Sequence, residues 1–142
     1  MHAPTLARHP SEALENEGTH RLFPPSLEQT DGVGPTVDLG RNPAALMVAT
    51  VGINHVIENE RLRVSIWGSP DGTDWEEEPL VSFPPKSYCG IYSTFLTLAK
   101  HPRVRYLRVK WSMNRSDKSS GAPLFGFYVS VQECDSPALI SW

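Results

Sequence analysis

Thirteen prolines and ten glycines are spread along these 142 residues, and most of them fall where an apolar run ends. Each proline fixes φ and removes a backbone donor, so a helix that meets one in its interior kinks or stops. Breakers at this density exceed the roughly 12% of glycine plus proline in ordinary chains. They exclude a long-helix bundle and leave short strands as the elements that fit between them.

The runs between breakers read as strands. His20 to Phe23 is a first candidate, closed by Pro24 and Pro25, and Thr36 to Leu39 a second, closed by Gly40. Ala45 to Ile53 is apolar on both parities, as a central strand is, with Gly52 marking a bulge or a close approach. Arg61 to Trp67 alternates, with Leu62, Val64 and Ile66 on one face and Arg63, Ser65 and Trp67 on the other, which predicts one wet face. It runs into GSPDGTDW, where Pro70, Asp71 and Gly72 supply the dihedrals of a tight turn, and Trp75 starts the return. Leu80 to Phe83, Ile91 to Leu98 and Val104 to Trp111 follow. The last of these puts Leu107, Val109 and Trp111 opposite Tyr106, Arg108 and Lys110. Phe125, Phe127, Val129 and Val131 then alternate with smaller or polar residues in a final, core-filling strand. GVGPT at Gly32 to Thr36 reads as a turn, and Ser112 to Pro123 as a polar loop.

Seven or eight such strands, with no helix between them long enough for a parallel crossover, predict an all-β antiparallel two-sheet β-sandwich, with jelly-roll topology as its natural version. The domain spans residues 19–134. Residues 1–18 form a flexible arm, with a short helix at Ser11 to Glu17 as its local option, and residues 135–142 form a tail that turns apolar after Pro137 and ends at Trp142.

Sixteen acidic against thirteen basic side chains give a net charge of −3, so the chain lacks the global positive field of a nonspecific nucleic-acid binder. No apolar stretch approaches the roughly 18 residues of a membrane span, and the N-terminal region has no apolar run of the secretory kind, so a cytoplasmic location is expected. The two cysteines, Cys89 and Cys134, match no metal-ligand spacing and are expected as reduced, buried core thiols.

Three stretches in fixed order also carry a family likeness: VDLG at Val37 to Gly40, LRVSIWGSPDGTDW at Leu62 to Trp75, and HPRVRYLRVKW at His101 to Trp111. Over residues 36–133 this pattern resembles the discoidin, or coagulation factor 5/8 type C, module, in which a DLG strand, an S-x-DG-x-x-W hairpin and an ARYIRI strand recur. The resemblance implies a galactose-binding-like jelly roll with a glycan or lipid-headgroup site. The family's bracketing disulfide has no counterpart, since no cysteine precedes Cys89, and the segment before VDLG is short.

Residues that carry chemistry are sparse. No nucleophile elbow, P-loop, HExxH or dinucleotide fingerprint occurs, and the five histidines are scattered, so no enzyme is expected. His55 and His101 read as turn and connection residues. Asp71, Asp74 and Glu76 gather carboxylates at the hairpin tip, where a hard cation such as calcium could use their oxygens, while a solvated tip is the plainer reading. The outward faces are more informative. Arg63 and Trp67 on one strand, with Tyr106, Arg108 and Lys110 on another, combine cations and aromatic rings in a way that suits a sugar, a base or a protein surface, or a cation stacked on its own neighbour. Asn114 and Arg115 in the polar loop are a further surface candidate. The expected function is a non-catalytic binding or assembly module acting through protein contacts in a homo-oligomer or larger particle, with a discoidin-type, lectin-like carbohydrate-binding module as the alternative.

Overall fold

The structure, a computed structural model, describes residues 18–56, 60–115 and 124–134, with residue 115 described by its backbone alone. The arm with its Ser11 to Glu17 helix, the greater part of the 112–123 loop and the 135–142 tail lie outside the described residues. Within them the chain is all-β, without a helix: β1 (Thr19–Glu28), β2 (Gly32–Val33), β3 (Val37–Asp38), β4 (Leu46–Val56), β5 (Glu60–Ser69), β6 (Val81–Ser82), β7 (Gly90–Thr97), β8 (Tyr106–Arg115) and β9 (Phe125–Glu133). They pair antiparallel throughout, in a four-stranded sheet of order β1-β9-β4-β7 and a second sheet of order β2-β8-β5-β6, with β3 also on β8.

The alternation read from the sequence sets which faces meet. Leu62, Val64 and Ile66 of β5, Leu107, Val109 and Trp111 of β8, and Phe125, Phe127, Val129 and Val131 of β9 are all buried. They pack against Met47, Ala49, Val51 and Ile53 of β4, so the two sheets close on one core. Phe23 of β1 joins the sheets at one end of that core, its ring centroid 4.6 Å from Trp111 and 5.2 Å from Phe127. The Trp111 indole, buried among apolar rings, still needs an acceptor and finds the Thr30 carbonyl at 2.9 Å.

Buried or half-buried polar groups tie the ends together. Glu60 is fully buried and accepts the Leu124 N–H on both carboxylate oxygens, at 3.0 and 3.1 Å, which fixes the start of β9 against β5. Glu133 accepts the Ala44 N–H at 2.7 Å and pairs with His20 Nε2 at 2.6 Å, linking β9 to β1 and to the turn before β4.

Several expectations change. Pro24 and Pro25 do not end the first strand, since β1 runs through them to Glu28. Edge position is the reason: β1 has a ladder on one side only, and its pairing with β9 accommodates the two prolines in register shifts between Arg21 and Phe23 and between Phe23 and Ser26. Gly32–Val33 is a strand, not a turn, because the missing side chain at Gly32 makes room for the Trp111 ring on the strand it pairs with. β8 continues past Trp111 to Arg115, placing Asn114 and Arg115 in a ladder opposite Arg61 and Glu60 and not in a loop. Asn114 is exposed on the wet face of the sheet, which accounts for its polarity. The return after Gly72 is also slower than a tight hairpin. Glu76 N–H reaches the Gly68 carbonyl at 3.1 Å, but ladder pairing resumes only at Val81. Finally, Cys89 is exposed in the segment before β7 and Cys134 is half-exposed just after β9, so neither is a core thiol; both are free.

Candidate binding surfaces

Because β5 and β8 are adjacent, their outward faces merge. The register sets Arg61 opposite Asn114, Arg63 opposite Ser112, Ser65 opposite Lys110, Trp67 opposite Arg108 and Ser69 opposite Tyr106. Arg63, Trp67, Tyr106, Arg108, Lys110 and Asn114 therefore share one face of the second sheet. Arg115 ends the same strand by its backbone.

Cations and rings interleave on this face. Lys110 Nζ stands 4.1 Å from the centre of the Trp67 ring, and the Arg108 guanidinium 4.1 Å from that of Trp75. Trp67 is held by its own hydrogen bond, Nε1–H to Ser65 Oγ at 2.9 Å. Trp75, read from sequence only as the start of the return strand, is the stacking partner that sequence reasoning missed; its distance from Arg108 along the chain gave no signal. Tyr106 lies at the far end, with the Arg105 guanidinium 5.5 Å from its ring. Such stacking is worth about 0.5–1 kcal/mol at exposed sites, so it orders these cations without neutralising them. A groove of about 560 Å³ crosses the same face between Asp31 to Val33 on one side and Ser82 on the other, with Arg63, Ser65, Lys110 and Ser112 on its floor.

The hairpin tip uses its carboxylates locally. Asp71 Oδ1 accepts the N–H groups of Thr73 and Asp74 at 2.8 Å each and the Ser69 hydroxyl at 3.1 Å. Those backbone donors, Asp74 first and then Thr73, hold the Asp71 carboxyl below its usual range. Glu76 turns instead to His101, Oε2 to Nδ1 at 3.1 Å. Among the described residues no three histidine, cysteine, aspartate or glutamate side chains converge as a metal site, and Asp71, Asp74 and Glu76 form no such cluster. His55 lies exposed near the end of β4.

A second surface was not singled out in the sequence. β7 (GIYSTFLT) is an edge strand of the four-stranded sheet, with one side paired to β4 and the other without a strand among the described residues. Its outward face carries Ile91 at 72% and Phe95 at 64% exposure, and Tyr88 lies exposed just before it. The signal was present as apolar residues on both parities of a run that turned out to lie at an edge.

A scan of the sequence against protein-family models finds no match, and a search of curated proteins finds none either. Among the described residues no helix is long and apolar enough to cross a membrane.

Proposed function

We propose that this chain is a non-catalytic assembly module that pairs with a second copy of itself through β7. The observation that carries the reading is the contrast between β7 and the other sheet edges. Natural sheets blunt exposed edges with prolines, charges, irregularities or very short strands. β1 carries Pro24, Pro25, Arg21 and two register shifts. β2, β3 and β6 are two residues each. β7 is eight residues long and has no proline and no charge.

The strand is also complementary to itself. An antiparallel twofold centred on Ser93 keeps each sheet's outer face outward and sets Ile91 of one copy opposite Phe95 of the other, twice. Both exposed apolar side chains are then covered by cross-strand pairs. The result is one continuous eight-stranded sheet. The arm and the tail read from the sequence lie outside the described residues, apart from Gly18.

The pairing also supports a jelly roll for the topology. With β2 and β3 taken as one interrupted strand, the pairs β1 with β9, β2/β3 with β8, β4 with β7 and β5 with β6 nest inside one another, as strands of a single long hairpin do when it is rolled up. VDLG lies at β3, SPDGTDW after β5 and RYLRVKW on β8, an order compatible with the discoidin-like reading.

Native mass decides the function. A dimer is expected, reduced to monomer by Ile91→Lys with Phe95→Lys, two outward substitutions that leave the core untouched. In a Cys89→Ser background, Ser93→Cys should cross-link two copies on oxidation while Thr97→Cys should not. A monomer at every concentration, or a dimer indifferent to both lysines, overturns the reading.

A further inference from the structure

The basic face of the second sheet plays no part in that pairing, and its charge is unusual for this chain. From Arg61 to Trp67 and from Arg108 to Asn114 the outward positions carry four cations and no carboxylate, in a molecule of net charge −3. The acidic residues nearby are engaged with other partners: Asp31, at the rim of the groove, accepts the Met113 N–H at 2.8 Å, buried Glu60 accepts the Leu124 N–H, Asp71 holds its own turn, Glu76 meets His101, and Asp38 pairs with Arg105 at two points, 2.9 and 3.0 Å. Arg63 has no hydrogen bond or ion pair among the described residues, and Arg108 Nε is a buried donor with no acceptor. Like charges brought together by strand pairing repel one another unless an anion joins them.

The groove gives that anion a shape. Across the strands its lining runs from Asp31–Val33 to Ser82, three strand spacings, roughly 14 Å at about 4.8 Å each, and along them it takes in Arg63 to Ser65 and Lys110 to Ser112. An opening of this size admits a few linked sugar rings of a single chain. The floor alternates hydroxyls with cations: Ser65, Ser112 and Ser82 can donate to or accept from polyol oxygens, and Arg63 and Lys110 can meet acidic substituents. Trp67 and Trp75 each already have a cation against the ring, so the face offers no row of bare aromatic platforms for stacked bases. Val33 at the rim is the one large apolar side chain exposed beside these cations among the described residues, while Ile91 and Phe95 lie on the other sheet, so the face lacks the apolar cluster that would insert into lipid.

We infer that the groove between β2 and β6 binds an anionic saccharide chain, one bearing sulfate or carboxylate groups, with Arg63 and Lys110 as its principal charge contacts. The site lies on a sheet face, away from the loop end of the sandwich.

Calorimetric titration of the full chain at low salt, with a heparin-derived hexasaccharide, a hexagalacturonate and neutral cellohexaose, tests it. At least one acidic hexasaccharide should bind and the neutral one should not. Preference between the two distinguishes sulfate esters from uronates, and equal binding assigns recognition to charge alone. Arg63→Glu should weaken binding by about tenfold or more, the scale of one charge-assisted contact, with an unchanged melting temperature because Arg63 is exposed. Lys110→Gln should weaken it in the same direction, while Arg41→Glu, on a loop outside the groove, should leave it intact. The inference is overturned if neither acidic chain binds, if cellohexaose binds equally, if Arg63→Glu binds like the parent, or if oligothymidylate binds more tightly through the same residues. Native mass is independent of all these outcomes, so this site and the β7 pairing fail separately.

Discussion

The ring of Tyr128 lies flat across Gly52, filling the space a Cβ would occupy at that position. The two residues face each other across the β4–β9 ladder, and the absent side chain is what lets the ring pack against the sheet. Gly52→Ala should therefore overpack the site and cost about 1–3 kcal/mol, read as a lower midpoint in urea unfolding. Tyr128→Ser alone should be milder. Combined with Gly52→Ala it should recover part of the loss, because the overlap disappears. Strict additivity of the two substitutions would show that the ring is not seated there.

Acid should weaken the fold through two carboxylates. Arg105 holds the Asp38 carboxyl below its ordinary 3.8, and the Asp74 and Thr73 N–H groups do the same for Asp71. A carboxylate whose folded pKa is depressed stabilises the fold above the unfolded value and loses that contribution as pH falls through the folded one. The parent should lose stability on acidification from neutral pH to below 3.8. The double substitution Asp38→Asn with Asp71→Asn should show a shallower slope over that window. Equal slopes in urea titrations of the two proteins would rule these carboxylates out as the source.

Ser69 is fully buried, and its hydroxyl accepts the N–H groups of Asp71 at 3.2 Å and Gly72 at 2.8 Å. Ser69→Ala should leave those donors without this acceptor, at about 1–3 kcal/mol, while Ser69→Thr should retain most of the stability if its methyl fits. Loss confined to the tip would appear as faster amide exchange at Asp71 and Gly72. Protection equal to that of the parent at both amides would contradict the assigned turn.

Exposure predicts thiol behaviour as well. Cys89, exposed before β7, should react with a maleimide in the native state well before Cys134. If β7 pairs with a second copy, labelling at Cys89 should slow as protein concentration rises. Mass spectrometry of the labelled peptides separates the two sites.

The strand content was legible because alternation survives at full strength in β5, β8 and β9, where one face is wet and the other sealed. Where alternation was absent, the reading failed for physical reasons. The Pro24–Pro25 pair looked like a stop because sequence does not reveal that β1 has a partner on one side only. Asn114 looked like a loop residue because a solvated sheet face and a solvated loop have the same composition. The basic and aromatic residues of β5 and β8 were identified, but their merger into one groove depends on strand adjacency, which no local pattern encodes. Ile91 and Phe95 stayed unnoticed because apolar residues on both parities normally signal a central strand.

Replacing Pro24 and Pro25 with valine and threonine should test what the prolines prevent. With its donors restored, β1 would offer a regular strand, and light scattering should rise with time and concentration, whereas the parent should not scatter. If the double variant stays as clear as the parent, the prolines are not what protects this edge.

The asymmetry between the two ends of the four-stranded sheet then sets a stoichiometry. A building block with one reactive end has a valency of one: joining consumes it, and the product presents only spent ends. On the proposed pairing, the prolines of β1 would act as chain terminators, and a β7 contact would stop at two copies where an equally open β1 would propagate into a fibre.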